Sequence, residues 1–372
     1  MAKRQLTKQQ RSRIKHRQDK QLNTKNIKKD TLPSGLTADA LGPEQKGLVI
    51  AHHGKQVEVE PLEPNGNGEP APNVRCHIRA NLATLVTGDR ILFQQGEQAA
   101  VVTACQERNT TLSRPDKYGK LKPVAANVDQ LLITVAALPE PHSGLIDRYI
   151  AAAENANITP IILFNKSDLL TQKASTFQED QESQTEEYAP ERNTQEHDTP
   201  EHFGHKIAAY EKRYTELGYH CVHTSAKSHP DLEAILKDKT SIFVGQSGVG
   251  KSSLIKALLP HAEIAVGALS ESVIKGKHTT THSELFHFAF GGICIDSPGI
   301  REFGMWHLSP EEVTYGFKEI REYAGLCKFR DCKHQQEPRC AVLEAVENGE
   351  IHPERLDNYF RILHSLDDVD MQ

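Results

Sequence analysis

The stretch GQSGVGKSS at 245–253 sets Gly245, Gly248 and Gly250 ahead of Lys251 and Ser252. This is the G-x-x-x-x-G-K-[ST] pattern, lying between an apolar strand run and a helical run. Glycines at such a turn let backbone N–H groups converge on phosphate oxygens, and the helix N-terminus adds partial positive charge. Lys251 can reach the outer phosphates and Ser252 can ligate Mg2+. Gln246, Ser247 and Val249 complete the loop and Ser253 continues the helix start, so all of 245–253 are candidate nucleotide contacts.

A second stretch, NKSD, ends the apolar run TPIILF and comprises Asn165, Lys166, Ser167 and Asp168. Asp168 can accept from guanine N1–H and the 2-amino group, a pair of donors that adenine lacks. An ATP site is disfavoured for that reason. Asn165 can tie this loop to the phosphate loop, and the aliphatic stem of Lys166 can cover the base. Ser225, Ala226 and Lys227 (SAK) end the next apolar run, where the Ala226 amide can donate to the guanine oxygen. In DSPG at 296–299, Asp296 would hold a Mg2+-bound water and the Gly299 amide would sense the γ-phosphate. GKHTTTH at 276–282 offers Thr279, Thr280 and Thr281 as Mg2+ ligands, with Thr280 the preferred one.

In ordinary GTPases the phosphate loop comes first and the base reader later. Here the order is base reader, SAK, phosphate loop, threonine switch, DSPG. Five pieces in one consistent rotation indicate circular permutation, which moves the termini and keeps the spatial site.

A third constellation is CKFRDCKHQQEPRC, with Cys327, Cys332, His334 and Cys340 spaced C-x4-C-x-H-x5-C. Three thiolates and one imidazole make a closed tetrahedral site of the structural zinc type, with no open catalytic position. Lys328, Arg330, Lys333 and Arg339 would give it a basic surface suited to RNA phosphates.

These motifs need elements to hold them. Strand-like runs alternate with helical spacing from VDQLLITVAA (128–137) to GGICIDSPG (291–299). That alternation, with polar motifs at strand ends, predicts a mostly parallel sheet with helices on both faces. Residues 46–112 read instead as short alternating strands and turns, a small β-barrel; five strands of the oligonucleotide-binding (OB) type fit the length, as does another small barrel. AVLEAVENGEIHPERLDNYFRIL has helical spacing and is expected to pack the cysteine cluster onto the GTPase domain. The expected division is a basic disordered arm at 1–40, the barrel at 41–112, a permuted GTPase domain at 113–304 and a zinc-binding helical domain at 305–372. An acidic insertion interrupts the GTPase domain at about 171–204.

The 372-residue chain is 37% hydrophobic and 25% charged, with net charge −6, and no run is long and apolar enough for a membrane span. Residues 1–30 carry eleven Lys/Arg against two Asp, a balance of +9, which suits a polyanion partner. Residues 172–201 carry nine acids against Lys173 and Arg192, a balance of −7, and so exclude an anion site. The N-terminus lacks the apolar core of a secretory leader. Clustered rather than paired cysteines suit a reducing compartment. Cys105, Cys221 and Cys294 are expected in the core.

NKSD, SAK, GQSGVGKSS, GKHTTTH, DSPG, the barrel before them and the cysteine cluster after them together resemble the ribosome small subunit-dependent GTPase A family, over roughly residues 45–365. The resemblance implies a cytoplasmic GTP hydrolase acting late in maturation of the small ribosomal subunit and stimulated by it. Its ligands would be GTP/GDP with Mg2+ and one structural Zn2+. Its partners would be that subunit and its rRNA, with no membrane, and the protein would be a monomer. The alternatives are an RNA-binding module with a guanine nucleotide as structural ligand, and a permuted GTPase of large-subunit assembly.

Many GTPases carry a water-orienting glutamine just after D-x-x-G. That position is Ile300 here, and an apolar side chain cannot polarise water, so slow intrinsic turnover is expected. His278 is the first candidate for the missing group and His282 the second, with a ribosomal group as the alternative.

Overall fold

A computed structural model of the chain describes residues 41–79, 82–97, 99–115, 121–170, 200–229, 231–259, 283–296 and 308–367. These form two compact units. One comprises residues up to Leu85 with Asp89–Glu107, and the other Val86–Gly88 with the chain from Arg108 onward.

The first unit is a closed barrel of β1 (Leu41–His53), β2 (Gln56–Pro61), β3 (Val74–Ile78), β4 (Arg90–Gly96) and β5 (Ala100–Cys105). β1 pairs antiparallel with β2 through 47–53 and with β4 through 41–48. β2–β3 and β4–β5 are antiparallel and β3–β5 is parallel, which closes the ring in the OB manner. Alternate residues point inward, so Val57, Val59, Cys76, Ile91, Phe93 and Val102 are fully buried.

The second unit opens with a hairpin, β6 (Thr111–Pro115) and β7 (Leu121–Ala126). There follow β8 (Gln130–Ala136), α1 (Ser143–Ala156), β9 (Thr159–Asn165), α2 (Ser167–Leu170), α3 (Pro200–Glu216) and β10 (His220–His223). Then come α4 (Leu232–Leu236), β11 (Thr240–Val244), α5 (Lys251–Leu258), β12 (Glu284–His287) and β13 (Ile293–Asp296). Among the described residues the strand order is β10-β9-β8-β11-β13-β12. All neighbours are parallel except β12, which runs antiparallel to β13. Leu132, Ile161, Leu163, Val222 and Phe243 face α4 and α5, through Leu232, Leu236, Leu254, Ile255 and Leu258. β8 is buried along its whole length, as a central strand covered on both faces must be.

The C-terminal segment contributes α6 (Pro310–Gly316), α7 (Lys318–Ala324), α8 (Ala341–Glu347) and α9 (Pro353–Asp367). Ser309 and Glu312 form a capping box and Pro310 opens the first turn, so the local sequence specifies where α6 starts. Gly316 lets α6 close onto α1: a Cβ there would lie 2.5 Å from that of Ala151. α9 is tied to α1 by a buried charge cluster. Arg355, 1% exposed, pairs with Asp147 of α1 and Glu319 of α7. Tyr214 of α3 donates to Asp147 at 2.6 Å, and the guanidinium lies 4.3 Å from the centre of the Phe317 ring.

Two expected core cysteines differ from expectation. Cys294 is buried, whereas Cys105 and Cys221 are half-buried, because Cys105 ends its strand and Cys221 lies on the edge strand β10. Cys76 is a core residue of the barrel instead. Among the described residues no helix is long and apolar enough to cross a membrane.

Candidate functional site

Parallel pairing brings the carboxyl ends of β9, β10 and β11 to one edge of the sheet, with β13 beside β11. Each strand delivers one polar motif there. β9 ends at Asn165, β10 is followed by Ser225–Lys227, β11 by the glycine loop, and β13 ends at Asp296.

The base-reader and phosphate loops are in contact. The Asn165 amide, 3% exposed, donates to the Val249 carbonyl at 2.8 Å. Gly250 is left-handed at φ 90° where α5 begins, and a Cβ there would lie 2.6 Å from Asn165 Nδ2. Only glycine allows that approach. Lys166 is itself left-handed at φ 58°, and its ammonium donates to Gly248 O at 2.7 Å and Leu138 O at 2.9 Å. Burial pulls that ammonium below its ordinary pKa, with the Asp168 carboxylate opposing.

Within the phosphate loop the Lys251 ammonium donates to Gly245 O and Gln246 O, each at 2.7 Å. The loop thus folds around a cation with its own carbonyls, and Lys251, Ser252 and Ser253 form the first turn of α5. An anion at that turn meets the helix N-terminus and a lysine together, so the residues present fit a nucleotide's phosphates. Asn165 Oδ1 is buried with no hydrogen-bond partner among the described residues. Ser247 and Gly248 are exposed, at the loop's crest.

Ser167 ties the base reader to the SAK strand, donating from its hydroxyl to Thr224 O at 3.1 Å. Ser225 is buried and closes a turn with Ser228, leaving Ala226 and Lys227 exposed. The Lys227 ammonium lies 3.5 Å from Asp168 Oδ2, so the two motifs face each other. Asp296 terminates β13. His278, Thr280 and Gly299 lie outside the described residues, as do Thr279, Thr281, His282 and Ile300.

Sequence reasoning passed over residues around this site. Leu138 and Pro139 precede α1, and Pro139 lies against Gly248. Tyr149 of α1 is buried and hydrogen-bonds the Gly245 backbone; burial raises its phenol and that bond opposes the rise. The i, i+3, i+4 spacing of apolar residues along GLIDRYIAAA would have flagged Tyr149 as inward-facing.

The cysteine cluster is assembled as well. Cys327 Sγ lies 3.8 Å from Cys340 Sγ, and His334 Nδ1 lies 3.4 Å from each sulfur. All four ligand atoms, including that of Cys332, fall within 4.8 Å of one another. Zn–S bonds of about 2.3 Å put two sulfurs of a tetrahedron about 3.8 Å apart, so the donors fit zinc. The Glu337 carboxylate accepts the Lys333, Gln335 and Gln336 amides, which fixes the loop between the ligands.

The family described as RsgA GTPase matches residues 105–203 and 193–306 of this chain. A protein of Saccharophagus degradans named small ribosomal subunit biogenesis GTPase RsgA is 56% identical over 376 residues, covering all of both chains. The crystal structure of YjeQ from Thermotoga maritima is 30% identical, with TM-score 0.64, over 87% of this chain and 99% of that one. The structure of YloQ, titled a circularly permuted GTPase, is 28% identical, with TM-score 0.61, over 88% of this chain and 96% of that one.

Proposed function

The chain belongs to the RsgA GTPase family, and on that premise we propose that it acts in biogenesis of the small ribosomal subunit, coupling subunit binding to GTP hydrolysis. It is a GTP hydrolase built on a circularly permuted fold. The observation that carries the reading is the joining of the two nucleotide motifs in space, Asn165 on Val249 and Lys166 on Gly248, although the chain reaches them in reversed order.

In this reading residues 245–253 bind the phosphates, with Lys251 at the outer ones and Ser252 available to a Mg2+ that enters with the nucleotide. Bound Mg2+ would neutralise charge on the phosphates. Asp168 reads the guanine edge, Lys166 covers the base, and Ser225–Lys227 close its far side. Asp296, Thr280 and Gly299 make up the γ-phosphate-sensitive half. Ile300 cannot orient water, so His278 or a group on the ribosome does so, and turnover is slow until the subunit is bound. Cys327, Cys332, His334 and Cys340 would hold one Zn2+, which cross-links the segment. The barrel, the basic residues around the zinc ligands and the arm at 1–40 contact rRNA. The protein works as a monomer in the cytoplasm, where ribosomes assemble.

The chain runs from the γ-phosphate-sensitive motif directly into the zinc segment. GTP therefore re-aims that segment on RNA and hydrolysis releases it. The test is binding of purified small subunits to the full chain loaded with a non-hydrolysable GTP analogue or with GDP. Tighter binding of the analogue form is expected, and equal affinities would contradict the reading. Ile300 favours one rival, a guanine-binding RNA module without turnover, which would show no hydrolysis with either subunit.

A further inference from the structure

The loop at 137–142 joins β8 to α1 and touches the nucleotide motifs at Leu138 and Pro139. Leu138 O accepts the Lys166 ammonium at 2.9 Å, and Pro139 Cδ lies where a Cβ on Gly248 would meet it at 3.5 Å. α3 also holds the loop, through Lys206 on Glu140 at 2.5 Å and the Tyr210 hydroxyl on Pro141 O at 3.4 Å, and its exit into α1 is the remaining point to fix. His142, the residue that precedes α1, makes no side-chain cap, so the first turn of α1 needs partners from elsewhere.

Tyr210 of α3 supplies one, by a hydrogen bond to the Ser143 backbone, and α9 holds the Ser143 hydroxyl. The hydroxyl of Ser143, the first residue of α1, donates to Glu354 Oε1 and accepts from Asn358 Nδ2 at 2.9 Å. Asn358 is fully buried and spends its second amide hydrogen on Asp147 Oδ2 at 2.7 Å. Its oxygen faces Gly144 and has no hydrogen-bond partner among the described residues. Asn358 is therefore present for its two donors. The other oxygen of Glu354 pairs with Arg213 of α3 at 2.7 Å. α9 follows α8, whose N-cap is the candidate zinc ligand Cys340.

We propose that Asn358 and Glu354 are positioning residues for guanine nucleotide binding: by holding Ser143 they fix the 137–142 loop, and the loop fixes Lys166 against the phosphate loop. The C-terminal segment thereby acts on the base-reader side of the site, a route separate from the chain connection through DSPG. The inference rests on the reading of 165–168 as the guanine reader.

The test uses the full chain and fluorescent N-methylanthraniloyl-GDP. Asn358→Leu removes both donors at nearly constant volume, and Ser143→Ala removes the shared hydroxyl from the other side. Each is expected to raise the Kd about three- to tenfold, with the double variant no worse than the weaker single. Acetylation of lysines by a small active ester, read by mass spectrometry, separates positioning from general loosening. Lys166 should acetylate severalfold faster in both variants, while Lys251 keeps its rate. An unchanged Kd, or equal gains at Lys166 and Lys251, would overturn the proposal. If Asn358→Leu fails to fold, Ser143→Ala alone decides. Asp168→Asn keeps the two failures apart, since it should exchange GDP binding for xanthosine diphosphate. If that exchange does not occur, the base-reader reading fails; if it occurs and Ser143→Ala is silent, only the positioning proposal fails.

Discussion

The Asn165 side chain donates to the Val249 carbonyl at 2.8 Å across 84 residues of chain, and the bond is buried. In a sheet whose parallel strands present their loops at one edge, this contact depends on which strands are neighbours and not on which motif comes first. β9 and β11 both flank β8, so their terminal loops meet whichever is translated earlier. Permutation thus leaves the site intact and changes what the chain does next.

Asn165→Ala removes that link and leaves Val249 O buried without its donor, at a cost of about 1–3 kcal/mol. Guanine nucleotide affinity should fall about tenfold or more, because two loops that contact one ligand lose their common register. Titration with a fluorescent GDP derivative measures it, and an affinity within twofold of wild type would mean that the loops are fixed independently.

Arg355 pairs with both Asp147 and Glu319 and is the cation that offsets part of their charge in a buried cluster. Arg355→Met strands two carboxylates in the core and should cost about 3–5 kcal/mol. The triple change Arg355→Met, Asp147→Asn, Glu319→Gln should recover most of that loss, since no buried charge is then left unpaired. Urea denaturation followed by intrinsic fluorescence reports both. A triple variant as unstable as the single one would show that packing against Phe317 and Tyr214, not charge balance, is what Arg355 supplies.

Glu354 is half-buried. Burial raises its pKa, but the Ser143 hydroxyl and the Arg213 guanidinium outweigh this and hold the carboxyl below its ordinary 4.5. A carboxyl with a lowered folded pKa stabilises the fold above its unfolded value and loses that contribution as pH falls through the folded value. The stability difference between wild type and Glu354→Gln should therefore be constant from pH 7 to about 5 and shrink below about 4.5. Denaturation midpoints across pH 3–7 test this; a difference that grows toward acid would reverse the sign.

The candidate zinc ligands lie within a short, mostly irregular segment anchored by Glu337 and by the start of α8 at Cys340. Cys332→Ser should lower bound zinc from one equivalent to well below one, by atomic emission. It should also lower affinity for the small subunit, while GDP affinity changes less than about twofold, because the Cys332 thiol sits among Cys327, His334 and Cys340. Full zinc retention in that variant would exclude Cys332 as a ligand.

NKSD, SAK and GQSGVGKSS were legible as neighbours because each is short, local and tied to a strand end, and GQSGVGKSS needed only a strand before it and a helix after it; GKHTTTH and most of DSPG lie outside the described residues. The cysteine cluster was legible for the same reason, since 327, 332, 334 and 340 lie within a few turns of chain. The Asp147–Arg355–Glu319 cluster was not, because its members come from three helices and each alone looks like an ordinary charge on a helical face. α3 was partly hidden by the acidic composition before it, although Ile207, Tyr210 and Tyr214 carry helical spacing and are buried. The β6–β7 hairpin escaped notice because its strands are short and Lys122 and Pro123 break the alternation. The 137–142 loop carries no motif, and its role emerges only from which atoms its carbonyls meet.

The decisive measurement is GTP hydrolysis by the full chain alone, with purified small subunits and with purified large subunits, using ATP as control. Slow turnover alone, strong acceleration by the small subunit only, and no ATP hydrolysis are the predicted results. Acceleration by the large subunit, or none by either, would contradict a small-subunit switch.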